Sequence, residues 1–298
     1  MIGMPLRGPL SQQSEEDLQY DPVRAKRIPT GVADFDTIIK GGLPSGSLVL
    51  LLGDMGAGQH EYVYTSIAKL GIVRDNPQTR KYYLGHACDD GVLPEKVEYI
   101  TFSRSKEDIL REVASSFNPH FYNAFKKYTT FRDLSGHYFR HTIIPSSWTS
   151  QGDTLFGEKP PELLESVVDF LDSNATRSMV IIDSITDLAE SDIVRPKDLI
   201  STIKGMQRAS KRWDGIVYLL LTKGIMDKKF EQMLIDSVDG VIVFEWKNYL
   251  TSSKRQRYMY IGKFMSVLPH LELEKIARFP TMVTSNHGLV VMYQERIA

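Results

Sequence analysis

The sequence predicts an α/β protein with a mostly parallel central sheet, flanked by helices and closed at one edge by C-terminal β-hairpin material. Three observations predict it. Short continuous apolar runs, among them SLVLLLG (Ser47 to Gly53), SMVIIDS around Asp183, GIVYLLLTKG and DGVIVFEW, suit strands buried on both faces. These runs alternate with stretches of helical spacing, as in PELLESVVDFLDS, where Leu163, Leu164, Val167, Val168 and Leu171 fall on one face. Such alternation implies right-handed crossovers between parallel strands. Finally, the glycine-rich turn GDMGAGQH (Gly53 to His60) stands between a strand and a helical stretch.

Roughly residues 1–26 read as a polar tail and 27–298 as one domain. After the strand at Ser47, HEYVYTSIAKLGIV is its helix, and KYYLGHA (Lys81 to Ala87) is read as the second strand. EKVEYITFS and EDILREVASSF are read as helical or helix-flanking material, and TTFRDLS (Thr129 to Ser135) as a third short strand. Gly136 to Pro161 is turn-rich and without periodicity, which predicts a long loop. KDLISTIKGMQRASKRW is a further helix. RYMYIGKF and RFPTMVTSNHGLVVMY supply the closing hairpin.

Composition narrows the function classes. In a chain of 298 residues with 42% hydrophobic content, a large core can form. Thirty-six basic and 37 acidic residues leave a formal charge of −1, so no global positive field draws the chain to nucleic acid or to anionic membrane. Cys88 is the sole cysteine, which excludes an intrachain disulfide and a cysteine-rich zinc site and points to a reducing cytoplasm. The apolar runs, such as Leu48 to Leu52, are far short of the roughly 20 residues of a membrane helix. The N-terminus also lacks the basic and apolar segments of a secretory signal.

In G-x-x-x-x-G-K-[ST], backbone N–H groups cradle phosphates, the Lys reaches the β/γ-phosphates and the hydroxyl holds Mg²⁺. Gly53, Asp54, Met55, Gly56, Ala57 and Gly58 keep the cradle, but Gln59 stands in place of Lys and His60 in place of Ser/Thr. Gln59 cannot neutralise phosphate charge, and His60 has no hydroxyl oxygen for a hard cation.

The segment Arg27 to His60 closely resembles the entry of the RecA/KaiC-like P-loop ATPases, including the archaeal paralogues. It carries Thr30-Gly31-Val32, Asp36, Gly41-Gly42-Leu43-Pro44 and Gly46-Ser47 before the strand and turn. The resemblance extends over roughly residues 27–293. It implies the RecA-like P-loop fold, ATP on the turn, Mg²⁺ held by the Walker B carboxylate at Asp183, and ring assemblies with nucleotide between subunits. It also implies an acidic residue after the second strand, near HACDD, where Asp89 and Asp90 are the candidate catalytic groups. A Lys-x-Arg reaching a neighbouring subunit's nucleotide is implied at Lys263 to Met265, where Lys263 persists and the Arg is Met265.

The expectation is therefore a KaiC/RecA-like chain with a degenerate nucleotide site, without catalysis or with very weak turnover. It would act as a regulatory or scaffolding partner in a homo-oligomer or beside an active paralogue. ATP binding stays open, and the substitutions weigh against Mg²⁺. The alternatives are an ATPase with unusual ligands and a DNA-binding paralogue, the latter disfavoured by the near-zero charge. Other residues carry two readings each. Asp183 is a metal contact or the cap of SITDLAE; Cys88 is a nucleophile or a buried hydrophobe; HYFRH (His137 to His141) is a base-stacking or a packing cluster; KRQR (Lys254 to Arg257) is a partner-binding or a solvated run.

Overall fold

A short ribbon brings the chain to the sheet: β1 (Arg27–Ile28) pairs antiparallel with β2 (Leu43–Pro44), and α1 (Ala33–Ile38) lies between them in sequence. The computed structural model describes residues 26–140, 142–149, 162–248, 255–271 and 276–292. The expected tail up to residue 25, His141, Lys254 and residues 150–161 of the expected loop lie outside the described residues. Within the ribbon, the buried Asp36 carboxylate accepts the N–H groups of Thr30 (2.9 and 3.0 Å) and Gly31 (3.1 Å). That bonding gives the Thr30-Gly31 and Asp36 pattern a structural cause. Gly42, at φ 101°, passes so close to β1 that a Cβ would stand 2.3 Å from the Ile28 carbonyl oxygen.

β3 (Ser47–Gly53) is buried at every residue in a nine-stranded sheet. The other strands are β4 (Lys96–Thr101), β5 (Thr129–Asp133), β6 (Ser178–Asp183), β7 (Ile216–Thr222), β8 (Gly240–Asn248), β9 (Arg255–Phe264), β10 (Phe279–Thr284) and β11 (Gly288–Val291). Across the sheet they run β11-β10-β9-β8-β3-β7-β6-β4-β5. Every pairing from β8 to β5 is parallel, while β9, β10 and β11 add antiparallel, as the C-terminal hairpin pattern predicted. The C-terminal ends of the parallel strands therefore share one edge, the edge where open α/β sheets build their sites.

Alternation along β3 sorts the core into two layers. Val49 and Leu51 face α1, α2 (Gln59–Asp75), α4 (Lys106–Ser116) and α5 (Pro119–Tyr128). Leu48, Leu50 and Leu52 face α7 (Leu163–Asn174), α8 (Ile185–Glu190), α9 (Pro196–Trp213) and α10 (Lys228–Asp236). Each buried Leu is worth about 1.5–3 kcal/mol relative to exposure, so this strand alone anchors both layers.

Two expectations are corrected. Lys81 to Ala87 is not a strand: it forms α3 (Arg80–Leu84) and a 3-10 turn at His86–Cys88. Only Leu84 of Tyr82-Tyr83-Leu84 is fully buried, and the Arg80 guanidinium bonds the Cys88 carbonyl at 3.0 and 2.7 Å, which ties the segment to itself. Conversely, EKVEYITFS contains β4, paired on both sides with β6 and β5. Its β-branched and aromatic residues alternate between the layers, with Val97 and Tyr99 in one and Ile100 in the other. In the described part of the expected loop, α6 (Ser135–Tyr138) and a 3-10 turn at Ser146–Trp148 are formed.

Candidate functional site

The glycine-rich turn leaves β3 at Gly53 and enters α2 at Gln59, on the edge formed by the strand C-termini. It is stitched to β8. The Asp54 carboxylate accepts the Trp246 N–H (3.0 Å), the Asp54 N–H donates to the Phe244 carbonyl (3.0 Å), and the Trp246 indole N–H donates to the Met55 carbonyl (3.1 Å). Gly58 is the N-cap, at φ 124°, with Leu289 Cδ1 3.1 Å from where a Cβ would be, so a side chain there is opposed by both backbone and packing. No side chain caps α2. Its first-turn N–H groups, together with the helix dipole, are the chemistry that attracts an anion.

Gln59 turns inward. It is 5% exposed, its amide donates to the Leu221 carbonyl of β7 (3.1 Å), and a Cβ on Gly53 would lie 2.3 Å from its Cδ. The side chain is thus packed on the strand ends, where its amide group is satisfied by backbone. Only a glycine at position 53 leaves room for it.

His60 turns toward β6. Its Nε2 lies 3.1 Å from Asp183 Oδ1, while Asp183 Oδ2 accepts from the Tyr99 hydroxyl (2.7 Å) and has Arg104 Nη1 at 3.6 Å. Arg104 also donates to the Tyr64 hydroxyl (3.3 Å) and pairs with Glu112 of α4. Burial by itself would raise the Asp183 pKa, but His60, Tyr99 and Arg104 outweigh it and hold the carboxyl below its ordinary 3.8. Burial likewise opposes charge on His60, and the Asp183 carboxylate overcomes it, raising the imidazole above 6.5. The Tyr99 hydroxyl is pushed well above 10 by burial and by Asp183, which keeps it a donor. One buried carboxylate is therefore ringed by an imidazole, a guanidinium and a phenol, all from this chain.

Of the residues singled out in the sequence, Gly53 to His60 and Asp183 meet here. Asp89 and Asp90 do not: they follow the 3-10 turn at His86–Cys88 and precede β4, at the opposite edge of the sheet. Lys263 lies across from Val241 at the start of β8, also on the opposite edge. Its ammonium is spent on the carbonyls of Ile235 (2.9 Å), Asp236 (2.9 Å) and Val238 (2.8 Å) at the end of α10. Asp183 is not the cap of SITDLAE, since Ser184 and Asp187 form a capping box there.

The remaining candidates resolve into packing. Cys88 is buried, and burial and the neighbouring Asp36 push its thiol up, the reverse of a nucleophile's environment. His137 is buried, and Tyr138 packs on Phe139 with ring centroids 4.8 Å apart. Arg255 and Arg257 stack on the Trp246 ring at 4.5 and 4.9 Å, and Arg257 pairs with Glu61 at 3.3 Å.

Tyr99, Arg104, Tyr64 and Glu112 were not anticipated. Their signal lay in β4: once EKVEYIT is the strand, the place after it is Phe102-Ser103-Arg104 and no longer HACDD. A cation then stands where the resemblance implies an acidic residue.

No family model matches the chain, and no curated protein matches it. Among solved structures it is similar to a KaiC-like protein from the hyperthermophilic archaeon Pyrococcus horikoshii, with a TM-score of 0.59 over 90% of this chain and all of that one, at 19% identity. The chain has the KaiC-like, RecA-type fold. The match rests on architecture, since side-chain identity is low. Among the described residues no helix is long and apolar enough to cross a membrane.

Proposed function

We propose that this chain is a KaiC-like protein that does not hydrolyse ATP and serves as a regulatory or scaffolding partner, in a homo-oligomer or beside an active relative. The observation that carries the reading is the closure of Asp183 by His60, Tyr99 and Arg104. A Mg²⁺ ion needs oxygen ligands and open coordination positions. At Asp183 both oxygens are engaged, and Arg104 supplies a resident positive charge that would repel the ion. The residues therefore do not fit Mg²⁺. Gln59, bonded to Leu221, brings no charge to phosphates, and the Phe102-Ser103-Arg104 segment that leaves β4 carries no carboxylate to orient water.

Nucleotide binding without metal is the form of ligand binding this site retains, because the uncapped first turn of α2 still offers N–H groups to an anion. In purified protein with ATP and Mg²⁺, phosphate release is expected to stay at background. Steady turnover abolished by Asp183→Asn would overturn the reading. Calorimetric titration with ATP should give the same affinity with and without Mg²⁺; binding that requires the metal would count equally against it.

A further inference from the structure

Lys69 lies about 15 Å along α2 from Gln59, at 1.5 Å per residue, away from the phosphate turn. The residue is 6% exposed, and its charge is influenced by burial and by the more distant Asp36 and Asp34 without a hydrogen bond to a described residue. It lines a cleft of about 200 Å³ with Val32, Asp34, Tyr82, Tyr83 and His287 among its walls. Burial of most of the side chain lowers the Lys69 pKa to about 8, and the ammonium faces the cleft without a described acceptor. Nearby Asp36 and Asp34 work in the other direction. The Asp36 oxygens, however, are taken by the N–H groups of Thr30 and Gly31, and Asp34 sits exposed at the rim.

The walls indicate what would meet the amine. Tyr82 is 69% exposed and packs edge-on against Tyr83 with centroids 4.9 Å apart, an aromatic surface in search of a flat or apolar neighbour. The volume is below the roughly 300–1,000 Å³ of ordinary small-molecule pockets, so the occupant is compact. Among the described lining residues Lys69 is the one ammonium, set against the single carboxylate of Asp34 at the rim. That balance favours a single negative charge.

We propose that this cleft binds a small organic carboxylate, whose oxygens accept from the Lys69 ammonium and whose flat body lies against Tyr82 and Tyr83. The site is independent of the nucleotide reading. An NMR titration of the full chain with benzoate should give saturable shifts at Lys69, Tyr82 and His287. Lys69→Met, which keeps the length and removes the charge, should weaken binding about ten- to a hundredfold, the worth of one hydrogen bond to a charged group. Benzyl alcohol should bind the unaltered chain as weakly as benzoate binds the variant.

No saturable shift, or equal affinity in Lys69→Met, would overturn the proposal. Tighter binding of phenyl phosphate than of benzoate would overturn the carboxylate assignment. Should the variant fail to fold, protection decides the matter: saturating benzoate must shield Lys69 of the unaltered chain from acetic anhydride, read by peptide mass, and undiminished acetylation at Lys69 refutes the site.

Discussion

At the scale of single residues, Asp183 is the group on which the candidate site turns. Of its three partners, Arg104 and protonated His60 place positive charge where the resemblance implies a metal, and Tyr99 adds a neutral donor. Replacing Asp183 by Asn removes the largest of the interactions that raise the His60 pKa against burial, leaving only the weaker pull of Glu112. The imidazole should then titrate lower than in the unaltered chain, as followed by NMR; an unchanged titration would show that Asp183 does not hold His60. Stability should carry the same signature. The pKa of His60 is raised above 6.5, so its contribution is complete below that value and is lost as pH rises through the raised one. That of Asp183 is lowered below 3.8, so its contribution is present above that value and is lost as pH falls through the lowered one. Both hold between about pH 4 and 6.5. The difference in melting temperature between the unaltered chain and His60→Gln should therefore be largest near pH 5.5 and should shrink by pH 9. A difference that is flat with pH would contradict the ion pair.

At the scale of elements, α10 and β9 give Lys263 a structural job. Lys263 donates to three carbonyls at the C-terminal end of α10, where a cation is favoured by unsatisfied acceptors and by the dipole. Lys263→Met should lower stability by about 1–3 kcal/mol in urea unfolding, because three acceptors lose a charged donor; a loss below about 0.5 kcal/mol would leave the cap without energetic weight. The same scale shows where sequence reading succeeds and fails. β3, β6, β7 and β8 were legible because each is a continuous apolar run in the middle of the sheet. KYYLGHA and EKVEYIT were exchanged because both are short and mix tyrosine and aliphatic residues with polar ones, and local pattern does not say which one finds neighbours. β4 is a strand because β6 and β5 lie on either side of it, whereas Arg80 binds the Cys88 carbonyl and curls α3 back on itself.

At the scale of the whole molecule, the parallel topology gathers the ends of β3, β4 and β6 and the start of α2 on one edge, while Asp89, Asp90 and Lys263 are left on the other. Restoring the site therefore requires changes on separate elements. Gln59→Lys with His60→Thr should improve ATP affinity through charge on the turn. Adding Arg104→Glu, which removes the resident cation on β4's side, should make binding respond to Mg²⁺. If the triple variant binds ATP no better than the unaltered chain, the shape of the turn is at fault as well as its side chains.

The sequence by itself determined the layered α/β architecture, the strand-turn-helix at Gly53 to His60 and the loss of the lysine and hydroxyl there, since each is written in contiguous residues. Only the tertiary structure decided what replaced them. Tyr99, Arg104 and Asp183 belong to separate strands and loops, and Lys69 meets Tyr82 and His287 across three elements, so their electrostatics exist only once the sheet has set their distances.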